Sequence, residues 1–379
     1  MRFFKFLLFF LPLFLVAFNS TTNNAAPGKF FPVRGGVVVA PPLPDEKLSA
    51  INERITKVLD QSKLNGNILI AYKGYVLYQD ARGYCNLKSK DSLSLASPFQ
   101  LASVSKGFTA MAVMILKDRG LINFDDTVKH LIAEFPYKNV TIRHLLNHTS
   151  GVPNYMYMAG QNNPHEMALN NEDVLKLLIK HKMPLNFKPG KSFRYSNTGY
   201  ALLALLVERI SGQPFDLFLK ANIFLPLQMN QTFAYNKHLL DSIQKRPIGY
   251  HSLKSAQNYE YDPIDEVLGD KSIYSTVEDL YKWSNAWNTE ILVSRSVLEE
   301  AFVKPVIQNQ RVIDYGFGWR FKEIEGKEAI YHNGLWHGFT STLTRIPSED
   351  LTIIILNNTS AHVANIARNI VKALDGLLE

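Results

Sequence analysis

Apolar residues follow three different rhythms along this chain. From Asp45 to Leu64 they recur as Leu48, Ile51, Ile55, Val58 and Leu59, a spacing that predicts an amphipathic helix. Gly66 to Tyr84 carries two β-rich runs, NILIAY and YVLYQDA, and the Lys73-Gly74 pair between them predicts a hairpin. Helical patterns then dominate from Ser105 to about Ser284, broken by Pro, Gly and Asn loops. The last quarter returns to strand patterns, FGWRF, EAIYH, FTSTLTRIP and LTIIILNN, and ends in a helix from about Ser360 to Leu378. Strands at both ends with helices between them predict that the two ends of the chain share one sheet, with the helical middle inserted beside it. No internal repeat is visible, which argues against a solenoid or propeller.

The third rhythm is no rhythm at all. Met1 to Phe18 has two cations, Arg2 and Lys5, followed by an unbroken apolar run from Phe6 to Phe18. That run is short for about 30 Å of hydrocarbon, so a secretory signal over residues 1–20 is favoured over an anchor left in place. Cleavage is expected between Asn19 and Pro27. A Ser/Thr/Asn then Pro/Gly tract over 21–44 reads as a linker, which leaves one folded unit over 45–379. No later run reaches 18 apolar residues, so no membrane contact is expected beyond the signal. The expected location is periplasmic or secreted, or anchored if the signal is kept.

Composition narrows the chemistry. The 379 residues are 46% apolar and 20% charged with a single cysteine, which suits a folded globular protein and not a disordered or disulfide-stapled one. Cys85 alone cannot form an internal disulfide or a cysteine-based zinc or iron–sulfur site. The net charge of +7 is scattered, with no run of five like charges, so there is no nucleic-acid arm.

Three segments have the residue types for acyl transfer. In Leu101-Ala102-Ser103-Val104-Ser105-Lys106 an apolar helical pattern begins at a serine. Such a serine is ordinarily a cap, but residues i and i+3 share a helix face about 5–6 Å apart, so the Lys106 amine can reach the Ser103 hydroxyl. A neutral amine could accept its proton, and helix N-terminal amides would stabilise developing negative charge. In Arg194-Tyr195-Ser196-Asn197, the alternating positions Tyr195 and Asn197 can point the same way: a phenol as general base and an amide to orient a carbonyl, or a buried tyrosine beside an asparagine turn. In Tyr331-His332-Asn333-Gly334-Leu335-Trp336-His337-Gly338-Phe339, placed between two strand patterns, the glycines permit close backbone approach to a ligand, and strand-edge amides could complete an oxyanion hole.

In this order and at these separations, the three segments resemble the serine β-lactamase and penicillin-binding-protein superfamily, in its branch of class C β-lactamases, D-Ala-D-Ala carboxypeptidases and related esterases. Further landmarks are IRHLLNHTSGVPNY at 142–155, IYSTVEDLYKW at 273–283 and YGFGW at 315–319, and the resemblance runs from about residue 46 to 376. It implies an α/β fold of the α+β kind: an antiparallel sheet flanked by helices, with a large helical insert over about 107–284. It also implies Ser103 as acylated nucleophile, Lys106 as its activating lysine, Tyr195 as a candidate base and acid, and Asn197 as substrate-orienting. The backbone amides of Ser103 and Leu335 would form the oxyanion hole, and His332, Asn333 and Gly334 would belong to the substrate-binding strand. No metal or other cofactor is required. Histidine stands where β-lactamases have the lysine that faces the antibiotic's carboxylate, and the turn Gly269-Asp270-Lys271-Ser272 is more polar than the usual Gly-rich one.

The implied activity is hydrolysis of an ester or of a D-amino-acid peptide through an acyl-enzyme, with weak or no β-lactamase activity. A silent envelope-binding or sensing module of the same fold and a class C-like β-lactamase stay open. The partner would be a small molecule or a peptide, cell-wall peptide included. Rival motifs are poorer. His144 and His148 have helical zinc spacing, but Leu145 replaces the glutamate of His-Glu-x-x-His; Gly190-Lys191-Ser192 lacks the first glycine of a phosphate loop; and no Gly-x-Ser-x-Gly exists. Trp336 and Phe339 are expected at the pocket rim, Met156 and Met158 in a groove or in packing, and Cys85 as a packed thiol.

Overall fold

The computed structural model describes residues 43–162, 168–259 and 262–378. The signal segment and residues 21–42 of the linker lie outside them. Helix Asp45–Asp60 buries Ile51, Ile55 and Leu59. The hairpin follows as β1 (Gly66–Tyr72) and β2 (Tyr75–Arg82). Its turn residues Lys73 and Gly74 both have positive φ, 47° and 84°, the twist that lets a two-residue loop join right-twisted strands.

Short strands β3 (Tyr84–Asn86) and β4 (Asp91–Ser92) pair with each other. The chain then gives β5 (Phe99–Gln100), β6 (Phe233–Ala234) and β7 (Ile273–Ser275), and finally β8 (Arg320–Ile324), β9 (Lys327–Trp336), β10 (Phe339–Ile346) and β11 (Leu351–Asn357). The main sheet is antiparallel with the order β2-β1-β11-β10-β9-β8. β1 pairs with β11 from Gly66↔Asn357 to Tyr72↔Leu351, so the two ends of the described chain meet at the sheet centre.

Alternation along these strands builds two cores. Ile68, Ile70, Ile353 and Ile355 point to one face and pack under Asp45–Asp60 and the final helix Val363–Leu374. Leu69, Ile354 and Leu356 point to the other face and join the larger core of the helical layer. Both faces are covered, which is why β1 and β11 read as continuous apolar runs. At the centre of the larger core lies helix Ser105–Asp118, buried from Ser105 to Leu116, with Phe108 stacked on Trp283 at 4.0 Å between ring centres. Cys85 is buried and its Sγ contacts the Asp91 carbonyl, as a packed thiol.

Several sequence expectations change. The mostly helical middle also supplies β6 and β7, which join β5 from just before it in the three-stranded sheet β5-β7-β6, whose strands are only two or three residues long and leave no period to read. His332 to Trp336 do not lie between strands but inside β9; the turn is His337-Gly338, at φ 42° and 80°. Phe339 is not at a rim. It is buried edge-to-face against Phe99 and Tyr274. The last helix is shorter than expected, Val363–Leu374.

Candidate active site

Ser103 occupies a 3₁₀ turn, Ala102–Val104, that leads directly into Ser105–Asp118. Neither helix start carries a side-chain cap, so the capping reading of Ser103 fails. The turn is strained and braced. Ala102 has φ 48°, a left-handed conformation costly for a residue with a Cβ. On one side the Leu101 amide donates to the Ile273 carbonyl in β7 at 2.8 Å; on another the Ser341 hydroxyl of β10 donates to the Leu101 carbonyl at 2.6 Å. β9 closes the third side. A Cβ on Gly334 would meet the Leu101 oxygen at 2.2 Å and Ala102 Cβ at 3.0 Å, so this glycine admits the Ser103 turn against β9.

Lys106 is fully buried. Its Nζ lies 3.2 Å from Ser103 Oγ, 2.8 Å from Asn197 Oδ1 and 2.6 Å from the Asp270 carbonyl oxygen. Burial, helped by the Arg320 charge and opposed by Asp270, pulls its pKa down to about 7. Tyr195 moves the other way. Its ring lies under the Lys106 ammonium position at 4.9 Å, and burial raises the phenol pKa despite the lowering effects of Ser103 and Arg320. The hydroxyl is buried and makes no hydrogen bond of ordinary geometry. Burial thus moves the two groups apart, the amine down toward neutrality and the phenol up from its ordinary value.

Asn197 opens helix Asn197–Ser211, whose N-cap Ser196 accepts from the Gly199 amide. With Oδ1 on Lys106, its Nδ2 faces only the weak acceptor Met156 Sδ at 3.6 Å. Met156 thus borders the site, whereas Met158 is core. His332 is buried, with Nε2 3.1 Å from the Tyr315 hydroxyl and Nδ1 2.8 Å from the Asn333 carbonyl. Burial and the nearby Lys106 and Arg320 charges hold its pKa well below the ordinary value, so it stands beside Tyr195 as a neutral ring. Asn333 is half-buried and its Oδ1 has no partner among the described residues. Leu335 exposes its side chain. β8 pairs with β9 only as far as Tyr331, so from His332 to Trp336 that edge of β9 runs against the Ser103 turn instead of a strand.

His148 and His144 have separate structural duties. His148 is fully buried among Tyr195, Tyr200 and Tyr315, and its Nδ1 accepts from the Ser196 amide at 3.1 Å, which fixes the tyrosine loop. His144 Nδ1 accepts from the Thr141 amide in a capping box. Two groups were not foreseen. Arg320, next to the YGFGW landmark, lies over the rings of Tyr195 and Tyr315 at 5.0 and 5.5 Å, and its guanidinium meets no carboxylate among the described residues. Asp270 supplies the carbonyl on Lys106 and carries a buried carboxylate; its turn was legible only as unusually polar.

A family model described as Beta-lactamase matches residues 51–376. The chain is 36% identical over 314 residues to Penicillin-binding protein 4* of Bacillus subtilis (strain 168), covering 79% of this chain and 69% of that protein. It is 25% identical over 321 residues to Protein flp of Staphylococcus aureus (strain N315), covering 81% of this chain but only 63% of flp. Among solved structures, an octameric penicillin-binding protein homologue from Pyrococcus abyssi superposes with a TM-score of 0.74 at 25% identity, over 87% of this chain and 77% of that one. D-amino acid amidase from Ochrobactrum anthropi SV3 shares the fold, with a TM-score of 0.69 at 20% identity over 87% and 99% of the two chains.

Proposed function

This chain belongs to the Beta-lactamase family, and on that footing we propose that it is a serine hydrolase working through a covalent acyl-enzyme on D-amino-acid peptides that carry a free carboxylate, with simple esters as a second substrate class. The observation that carries the reading is the bonding of the Lys106 amine. In its neutral form two N–H groups satisfy Asn197 Oδ1 and the Asp270 carbonyl, and the lone pair is left for the Ser103 O–H at 3.2 Å. Ser103 Oγ attacks the substrate carbonyl carbon as its proton passes to Lys106. The amides of Ser103 and Leu335 hold the oxyanion, and the open edge of β9 beside the Ser103 turn supports that assignment. One such donor is worth about 10²–10³ in rate. As the tetrahedral intermediate collapses, the leaving group takes that proton from Lys106, either directly or relayed by the Tyr195 hydroxyl, which gives its own proton and takes the one on Lys106, so the amine is neutral again. Water then attacks the ester, gives its proton back through Lys106 and releases Ser103.

Substrate class follows from charge. A neutral His332 offers no cation to a carboxylate, but Arg320, unpaired and stacked on Tyr195, does. The displaced cation favours a flexible peptide terminus over the fixed carboxylate of a β-lactam. The apolar run Phe6–Phe18 supports action outside the cytoplasm.

A fluorophosphonate probe and a fluorescent penicillin, applied to wild type and Ser103→Ala, test the reading. Wild type should label with the fluorophosphonate and Ser103→Ala should not. The labelling rate should rise with pH through about 7, because Lys106 accepts a proton only once its own is lost. Labelling of wild type by neither reagent would mean a silent binding module and overturn the proposal. Faster labelling by the penicillin would move the assignment to a β-lactamase.

A further inference from the structure

Beneath Lys106 lies a second lysine that the acyl-transfer chemistry does not use. Lys271 is buried beside buried Asp270, with its Nζ 3.3 Å from Asp270 Oδ1. The same nitrogen donates to the Tyr155 hydroxyl at 2.9 Å, and Tyr155 in turn donates to Asp270 Oδ2 at 3.0 Å. A ring of three side chains therefore encloses one carboxylate, capped by the Trp336 ring 5.2 Å from Lys271 Nζ. Trp336 is itself tied down, its Nε1 donating to Asp265 Oδ1 at 2.6 Å. The backbone around the ring is equally fixed. The Thr109 hydroxyl donates to the Gly269 carbonyl at 2.7 Å, and the Ile273 amide donates to Ser105 Oγ at 3.0 Å, so the turn is fastened to the nucleophile's helix at both ends. A Cβ on Gly269, whose φ is 97°, would strike the Tyr200 oxygen at 2.6 Å.

Burying an ion pair is expensive unless the geometry satisfies both charges, and replacing it with apolar side chains is often neutral for stability. A pair placed one bond network away from the general base has another use. Asp270 is the anion that acts on Lys106: its own carbonyl accepts from Lys106, and its charge opposes the release of that proton. We propose that Lys271 is a positioning residue of the hydrolase reaction, which cancels the Asp270 carboxylate so that Lys106 can stay neutral and serve as base while the Asp270 carbonyl holds it on Ser103. The inference rests on the assignment of Lys106 as base made above.

The other groups that face Lys106 do not substitute for Lys271. Tyr195, Tyr200 and Asn197 are uncharged, as are the buried rings of His148 and His332. Arg320 is the cation whose charge lowers Lys106, and it lies over Tyr195 at the start of β8, where it makes no ion pair with the Asp270 carboxylate. Tyr155 stays a donor, because burial and Asp270 push its pKa well above the ordinary value. Without the Lys271 charge the Asp270 carboxylate acts on Lys106 unopposed, and the amine holds its proton more tightly.

The test compares wild type, Lys271→Met, Lys271→Arg and the double variant Asp270→Asn/Lys271→Met. Lys106 is titrated directly by NMR of protein carrying ¹³Cε-lysine, its signal assigned with Lys106→Arg, alongside the pH profile of kcat/KM for a nitrophenyl ester. Lys271→Met should move the Lys106 midpoint and the acid limb of kcat/KM up together, by about one pH unit, a loss of roughly fivefold at neutral pH that approaches tenfold on the acid side and is recovered at alkaline pH. Lys271→Arg should stay close to wild type, and the double variant should return the midpoint toward it. A Lys271→Met midpoint equal to wild type overturns the proposal, and so does an equal shift in the single and double variants, which would mean lost packing and not lost charge. If Lys271→Met does not fold, the double variant and Lys271→Arg decide: a midpoint far from wild type in either one overturns it. Because the NMR midpoint needs no turnover, a protein that fails to hydrolyse anything would refute the proposed function while leaving this inference to be judged by its own titration.

Discussion

At the scale of single residues, the site turns on which side chains burial makes neutral. The same desolvation lowers the pKa of Lys106 and His332 and raises that of Tyr195, because it always disfavours the charged form. One amine is drawn toward neutrality, one imidazole is held uncharged, and one phenol is held protonated. Arg320 is half-buried, its guanidinium lying over two tyrosine rings. Its role predicts a split. Arg320→Ala should raise KM about tenfold or more for a peptide ending in D-alanine carboxylate, and should leave KM for the carboxamide of the same peptide within about twofold, since a charge-assisted hydrogen bond is worth roughly 1.5–3 kcal/mol. Steady-state kinetics on the two peptides measure it. An equal rise for both would remove Arg320 from carboxylate recognition.

Among the elements, β9 matters most. Its first half is an ordinary sheet strand between β8 and β10, and its second half leaves β8 behind and lies against the nucleophile's turn. Gly334 sits where the two functions meet. Gly334→Ala should drive β9 away from Leu101 and Ala102, since the added carbon would sit 2.2 Å from a carbonyl oxygen that is itself fixed by Ser341. The expected outcome is a fall of 10²-fold or more in acylation rate, read by fluorophosphonate labelling, from a displacement of about 1 Å. Folding should survive, because β9 and β10 keep their ladder up to the hairpin turn; circular dichroism and thermal unfolding check that.

Viewed whole, the molecule places a strained turn on the best-buried helix it has. Ser105–Asp118 is gripped by Phe224 and Trp283 around Phe108, and Trp283 is in turn packed on Trp287. Trp283→Ala should cost about 3–5 kcal/mol of stability through the cavity it opens, and labelling of Ser103 should fall with the folded fraction and not before it. Chemical denaturation run with labelling at each denaturant step would show whether the two losses coincide.

Much of this was legible in the chain. The 3.6-residue spacing gave the first helix, Lys73-Gly74 gave the hairpin, and β-branched runs at 66–72 and 351–357 gave the strands, because local backbone preference and side-chain alternation are sequence properties. Ser103, Lys106, Tyr195 and Asn197 were legible as well, since their types and spacings are the chemistry itself. What spacing could not supply was environment. Which of Lys106 and Tyr195 burial pushes toward neutrality is a property of groups far apart in the chain, such as Lys106 and Asp270, 164 positions apart. β5, β6 and β7 are too short to carry a period, and Phe339 reads as rim or core with equal ease until its neighbours are in place. The sequence by itself determined the Ser103–Lys106 spacing, the sheet assembled from both ends and the helices between. Tertiary structure alone decided the charge state of each group at the site, because protonation follows from desolvation and from the distances between charges, and neither exists until the chain has folded.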